Sequence, residues 1–295
     1  MAVRVYKKLS IEDFGSHLLD SNDLDPIYVA LVGCELPTEQ LYRWLLAYWC
    51  FYHAGVASYL SEFEGDDFFY KMEVAARNEE LAPTGDRWPR AKERRHFRGG
   101  QAIKAVRSLQ AQYGSSPEDM VTYCIGPEDA RLCKDVIRRS KDHFLFGDWI
   151  AFKVADMIDR CLRVEIGFDQ AAAFMFRDPT ESALMFWRKQ KKMPPETMPR
   201  DTQAVITEVV DYLTQHFKAS LAPPFMDRPI GLQEVETILC KWKSHLHGHY
   251  PLFNDQEEIL QGLSSWTAYS ETAERFALAM PRKAFSSAAP PRRVT

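Results

Sequence analysis

The run "WLLAYWCFYHAGVASYL", residues 44–60, contains no formally charged side chain. Few environments accept such a segment. It is shorter than the roughly 20 apolar residues that span a bilayer, it is rich in aromatics, and it holds His53 and Ser58. The reading it supports is a helix buried on all sides at the centre of a folded core. A chain of 295 residues with 46% hydrophobic side chains has the material for such a core.

Helical spacing continues on both sides of that run. Segments 10–20, 24–34, 38–62, 65–79, 100–113, 117–124, 127–140, 148–163, 169–176, 180–190, 201–218, 231–246, 255–264 and 268–280 carry helical periodicity or caps. Ser10 precedes "IEDF", Thr38 precedes "EQLYRWLL", and Ser116-Pro117-Glu118 sets a proline in a first turn. Period-2 strand runs are absent, so the expected fold is all-α with short loops. One two-lobed helical domain is expected over 1–280, with lobe boundaries near 80–99 and 191–200. Residues 220–230 form a further linker, and the tail 281–295, "PRKAFSSAAPPRRVT", is low in complexity and expected to be disordered. The start, "MAVRVYKKLSIEDF", has no apolar signal core. The six scattered cysteines form no CxxC pair and fit reduced core thiols of a cytoplasmic protein.

The net charge of −4 argues against a chain-wide polyanion surface, but the charge is not evenly spread. "RWPRAKERRHFRGGQAIKAVR", 87–107, holds Arg87, Arg90, Lys92, Arg94, Arg95, Arg98, Lys104 and Arg107 against Glu93 alone. Gly99-Gly100 then opens a helix. Its first N–H groups beside arginine forks suit phosphate oxygens, although a solvated loop would read the same way. No GxxxxGK[ST] occurs. The run "RKQKK", 188–192, is weaker evidence of the same kind.

A later stretch, "LCKWKSHLHGHYPLFND", 239–255, crowds Lys241, Lys243, His245, His247 and His249 around Trp242 and Tyr250. His245 and His249 are four apart, as metal ligands on a helix can be. Gly248 is expected to end the helix between them, and no HExxH is present. A basic aromatic surface for nucleic acid and a structural cluster both remain open.

The stretch "GDWIAFKVADMIDRC", 147–161, sets Lys153 among Ile150, Ala151, Phe152, Val154 and Ala155. A lysine so placed costs stability unless it reaches water, finds a counter-charge or takes part in chemistry. Asp156, three residues on, shares its helical face and can pair with it. "FKVADMI", 152–158, resembles the end of the helix-hairpin-helix motif of base-excision DNA glycosylases. In the oxoguanine glycosylases a lysine follows the hairpin, then Val-Ala-Asp, matched here by Lys153-Val154-Ala155-Asp156. In that superfamily the lysine is the nucleophile and a later aspartate assists it; the nearest candidate is Asp169. "GDWIA" replaces the usual Leu-Pro-Gly-x-Gly, so the standard cation and phosphate grip does not carry over.

A wider resemblance rests on "LCKWKSHLHGHYP", "FGDWIAFKVADM" and "LYRWLLAYWCFYHA". Together they resemble a bacteriophage family, α-glutamyl/putrescinyl thymine pyrophosphorylase or amino acid:DNA transferase, over about 40–260. The resemblance implies a divergent helix-hairpin-helix DNA glycosylase-like fold, two helical lobes with a cleft. It implies double-stranded phage DNA bearing pyrophosphorylated 5-hydroxymethyluracil, and an amine that displaces pyrophosphate in the cytoplasm of the infected host. The amine would be a free amino acid, glycine by this reading, or putrescine. No metal, organic cofactor or membrane is implied.

That chemistry needs cations for the departing pyrophosphate, and Arg94, Arg95 and Arg98 are the candidates. Lys104, Lys241, Lys243, His245 and His249 are further candidates for phosphate or DNA. The base must leave the stack; Trp149 and Trp242 are candidates to stack on it, or core residues. Lys153 has three open roles: nucleophile, with its pKa lowered by apolar neighbours; general base toward the incoming ammonium; or structural residue. Asp169 orients the amine, accepts its proton or caps a helix. Lys241, Lys243 or His245 would hold an amino acid's carboxylate. Two other readings stand: a DNA glycosylase or lyase acting through Lys153, and a non-catalytic helical DNA-binding protein.

Overall fold

The computed structural model describes residues 8–168 and 176–281, and among them lie fourteen α-helices and no strand. The first nine are α1 (Ile11–Asp20), α2 (Pro26–Gly33), α3 (Thr38–Phe51), α4 (Ala54–Ser61), α5 (Gly65–Arg77), α6 (Gly99–Tyr113), α7 (Pro117–Ile125), α8 (Cys133–Lys141) and α9 (Asp148–Leu162). Then come α10 (Arg177–Gln190), α11 (Thr202–His216), α12 (Leu232–Leu246), α13 (Asn254–Ser264) and α14 (Glu271–Ala279). Ser10 and Ser116 cap as expected, accepting the N–H groups of Asp13 at 3.0 Å and Asp119 at 3.4 Å. Thr38 is the first helical residue of α3, after Pro37, rather than its cap.

The uncharged run is buried, but not in one helix. A single helix over 38–62 would be about 37 Å long. Instead Tyr52 turns left-handed, with φ 49°, and His53 Nδ1 accepts the Val56 N–H at 3.2 Å to start α4. Folding back lets both halves share one core, with Trp44 Nε1 donating to Ser58 Oγ at 3.1 Å. Every residue from Arg43 to Phe51 is buried. Gly55 makes the fold-back possible: a Cβ there would lie 2.2 Å from the buried Trp266 ring. The segment expected to be helical from 127 has only a short 3₁₀ turn, Glu128–Ala130, before α8 begins. Residues 169–175, which carry Asp169, and 282–295 of the tail lie outside the described residues.

Two hydrophobic cores form. The first gathers α2 to α9, Trp266 and the α14 residues Ala273 and Phe276. The second gathers Ile11, Phe14 and Leu18 of α1 with residues of α10, α11 and α12. The chain therefore starts in the second core, builds most of the first, returns to the second, and ends in the first. Between them runs a seam of charge. No helix among the described residues is long and apolar enough to cross a membrane.

Candidate active site and nucleic-acid face

One stripe of α9 organises the seam. Trp149, Lys153, Asp156 and Arg160 recur at three- and four-residue spacing, so their side chains stand along one face. Arg160, with no side-chain exposure, is the hub. Its Nη1 donates to Asp25 Oδ2 at 2.6 Å and its Nη2 to the Pro223 carbonyl at 3.1 Å. Its Nε lies 3.1 Å from Glu234 Oε1, and Nη1 lies 3.6 Å from Asp156 Oδ1. The Tyr28 hydroxyl donates to Asp156 Oδ2 at 2.7 Å. Beside this network Lys241 pairs with Asp255 at 2.7 Å and donates to the carbonyls of Asp23 and Leu24.

Lys153 sits at the partly open edge of the seam, its side chain 14% exposed and its Nζ 3.8 Å from Asp156 Oδ2. Partly exposed Tyr52 and Trp149 stand close by, edge to face at 4.7 Å, and Tyr48 lies against Tyr52 at 4.5 Å. The expectation of a lowered lysine pKa is overturned here. Burial alone would lower it, but Asp156, Asp25 and Glu236 outweigh burial and raise it. The same acids favour the ammonium form of Lys153.

The carboxylates of the seam outnumber its cations. Asp23, Asp25, Asp156, Glu234, Glu236 and Asp255 face Lys153, Arg160 and Lys241, with Arg228 bonded to Glu234 at the rim. The imbalance shows in proton affinity. Burial pushes the Glu236 carboxyl up to about 7 against the pull of Lys153, with Asp156 and Asp25 adding to the rise. Burial pushes Asp23 up to about 6, against Lys241. Burial also raises Asp156, whereas Asp25 is held low because Arg160, Lys241 and Lys153 outweigh its burial.

A carboxyl raised on folding binds its proton more tightly in the native than in the unfolded chain. Its contribution favours folding at low pH and is lost as pH rises through the folded value. For Glu236 that window runs from 4.5 to about 7, a contribution on the order of 3 kcal/mol. The thermal midpoint is expected to fall between pH 5 and pH 8, and Glu236→Gln should flatten much of that fall in calorimetry.

The basic stretch divides by burial. Arg94 is buried, 1% exposed, and donates to the Cys50 and Leu145 carbonyls at 2.9 Å each. It stacks on Phe97 and Phe146. It braces the end of α3 against the loop before α9, so it is not free to clamp pyrophosphate. Arg90 turns inward to the Phe97, Ala75 and Trp88 carbonyls, and Arg107 pairs with Glu73 at 2.7 Å. Arg95 and Arg98 stay exposed and, with Arg87 and Trp88, line a pocket of about 560 Å³. Gly99 begins α6 with φ +67°, a conformation suited to glycine, and open space surrounds Gly99 and Gly100. Lys104, one turn on, lies over the Phe144 ring at 4.9 Å and ties α6 to the 142–147 loop between α8 and α9. That loop joins α8 to α9, and the two helices pack on one another. No side chain caps α9, although Asp148 in its first turn pairs with Lys141 at 2.6 Å.

Most of the late motif is engaged within the protein. Trp242, 1% exposed, donates from Nε1 to the Leu9 carbonyl at 3.1 Å within the second core, so it is not placed to stack on a base. His245 is equally buried: Nε2 accepts the Leu9 N–H at 3.0 Å, and Nδ1 meets the Tyr250 carbonyl at 2.9 Å. Lys243 is held by Asp178 and Glu181. Helix α12 ends at Leu246, as Gly248 implies, leaving His249 exposed beyond it. Lys243 and His245 are therefore not left for a co-substrate carboxylate, and the described residues hold no group of three or more His, Cys, Asp or Glu side chains arranged to hold a metal ion. Sequence reading missed several residues of the seam, Arg160, Asp25 and Glu236 among them. One acid inside a helix gives no signal until α12 is seen to face α9.

Buried charged side chains along α9 and exposed arginines around the glycine-opened start of α6 are parts that an enzyme acting on nucleic acid would need. The chain belongs to the amino acid:DNA transferase family, whose sequence profile matches residues 17–250. It is 51% identical over 288 residues to a glycinyltransferase of Pseudomonas phage PaMx11, covering 94% of this chain and 98% of the relative. It is 24% identical over 261 residues to a putrescinyltransferase of Delftia phage PhiW-14, covering 88% and 79%. The resemblance read from "FGDWIAFKVADM" and "LCKWKSHLHGHYP" thus holds across most of the chain.

Proposed function

We propose that this transferase joins glycine to phage DNA in the cytoplasm of the infected host, displacing pyrophosphate from the exocyclic methylene of 5-pyrophosphoryloxymethyluracil. Similarity over nearly full length to a glycinyltransferase supports the choice of glycine. The observation that carries the reading is the α9 stripe. Trp149 and Tyr52 offer aromatic faces to an extruded base, and the Lys153 ammonium stands one turn further in. Asp169 keeps its proposed role as a partner of the amine.

Arg95, Arg98 and Lys104 carry the phosphate contacts in this reading, around the glycine-opened start of α6. The double variant Arg95→Ala/Arg98→Ala should weaken binding to duplex DNA of any sequence. It should also reduce the slope of log affinity against log salt by about 2, near 0.9 per lost contact. Fluorescence anisotropy between 50 and 200 mM salt, a range in which such contacts dominate, reads both effects. An unchanged slope would move the DNA to another face.

The activity itself is tested by pyrophosphate release from oligonucleotides carrying the pyrophosphorylated base. Release should require glycine. Release at equal rate without any amine would mark a hydrolase instead.

A further inference from the structure

We propose that Lys153 and Glu236 together read a zwitterionic α-amino acid: the Lys153 ammonium receives the carboxylate, and Glu236, beside Asp156, receives the ammonium group and takes a proton from it. The proposal deepens the transferase reading and rests on it for the reaction step.

The geometry is a pair of opposite charges on two helices, α9 and α12, that meet through Arg160 and Glu234 at 3.1 Å and through Asp159 and Gln233 at 2.8 Å. Glu236 on α12 and Lys153 on α9 act on one another across the seam, yet no ion pair within 4 Å joins them. A cation and a buried acid that face one another without pairing suit a small molecule that carries both signs. Among the described residues Lys153 Nζ donates no hydrogen bond, and Asp156 Oδ1, in a residue 1% exposed, accepts none. Glu236 is itself 5% exposed. The other cations of the seam are committed: Arg160 to Asp25 and Glu234, and Lys241 to Asp255. Among the described residues, Lys153 is the seam cation whose ammonium donates no hydrogen bond and lies at the partly open edge.

The surroundings of Glu236 fit a proton acceptor. Lys153 and Asp156 face it from α9, and Asp25 faces it from the start of α2. On α12 itself Thr237 bonds to it, and Cys240 lies within its field. Surplus buried carboxylates hold either protons or a cationic ligand, and an ammonium group supplies both the charge and the proton. In the step, one N–H proton of the glycine ammonium moves to a Glu236 oxygen. The freed nitrogen lone pair forms the C–N bond at the methylene. The C–O bond breaks, and its electron pair leaves with pyrophosphate. The secondary ammonium formed then releases a proton to water.

The test compares glycine with methylamine, which lacks the carboxylate, on the pyrophosphorylated oligonucleotide. Wild type should favour glycine at least tenfold in kcat/KM. Lys153→Met should erase that preference, falling at least tenfold for glycine and by less for methylamine. Glu236→Gln should slow both amines at least 100-fold and remove the rise of rate with pH near neutrality, and Glu236→Asp should restore part of each. DNA affinity should stay unchanged in all three. Equal losses for both amines in Lys153→Met, or an unaltered pH profile in Glu236→Gln, overturn the proposal. Titration of ¹³C-labelled glycine into DNA-free protein, followed by NMR, separates the two readings. If wild type makes no product but binds glycine and Lys153→Met does not, the transferase reading fails and the amino-acid site stands. If wild type transfers glycine while Lys153→Met binds it equally well, the site fails alone.

Discussion

Arg160→Met is expected to lower stability by about 3–5 kcal/mol, the range for removing one partner of a buried ion pair. The guanidinium has no exposure and holds three carboxylates, Asp25, Asp156 and Glu234, together with the Pro223 carbonyl. Methionine fills much of the same space, so lost packing is a minor part of the effect. What remains is buried negative charge without its counter-ion, and the chain can relieve it only by taking up protons or opening the seam. The loss should therefore be larger at pH 8 than at pH 5, where protonation supplies the missing positive charge. Urea denaturation at both pH values checks the size and the sign. A loss below 1 kcal/mol at pH 8 would mean that water reaches the seam and screens it.

Arg94→Met should cost about 2–4 kcal/mol, from two buried carbonyls left without donors. Arg94 has no acid partner; its bonds go to the Cys50 and Leu145 carbonyls, and burial pushes its pKa down to about 10. This outcome separates a brace from a clamp. A brace loses stability on substitution and keeps its affinity for DNA, provided the protein is assayed where it is folded. A pyrophosphate clamp would keep stability and lose transfer. Thermal melts combined with DNA anisotropy distinguish the two.

The two arginines mark where sequence reading stops. Arg94, Arg95 and Arg98 look alike in "RRHFR", and nothing local says that the first turns inward while the others face water. The difference comes from Phe97, Phe146 and two carbonyls, contributed by segments as distant along the chain as the loop before α9. The helices themselves were legible because periodicity and caps are local: Ser10 and Ser116 cap where they read. The break at Tyr52 was not, because apolar and aromatic residues on both sides of it keep a helical pattern. Lys153 was legible as an anomaly, and its Asp156 partner as a neighbour three residues on. The sign of its pKa shift was not, since Asp25 and Glu236 reach it only through the tertiary fold. His245 and Trp242 misled in the opposite sense. A lysine- and histidine-rich string around a tryptophan resembles a binding surface, whereas here it faces α1 and the Leu9 backbone.

The most direct test of the central reading is the intact mass of an oligonucleotide carrying one 5-pyrophosphoryloxymethyluracil, after incubation with the protein and glycine. Loss of pyrophosphate with gain of one glycine through its nitrogen, the strand and glycosidic bond remaining intact, is the expected product. Loss of the base, leaving an abasic site, would instead make the chain a glycosylase. An unchanged mass from folded protein that binds the oligonucleotide would contradict the transfer reaction.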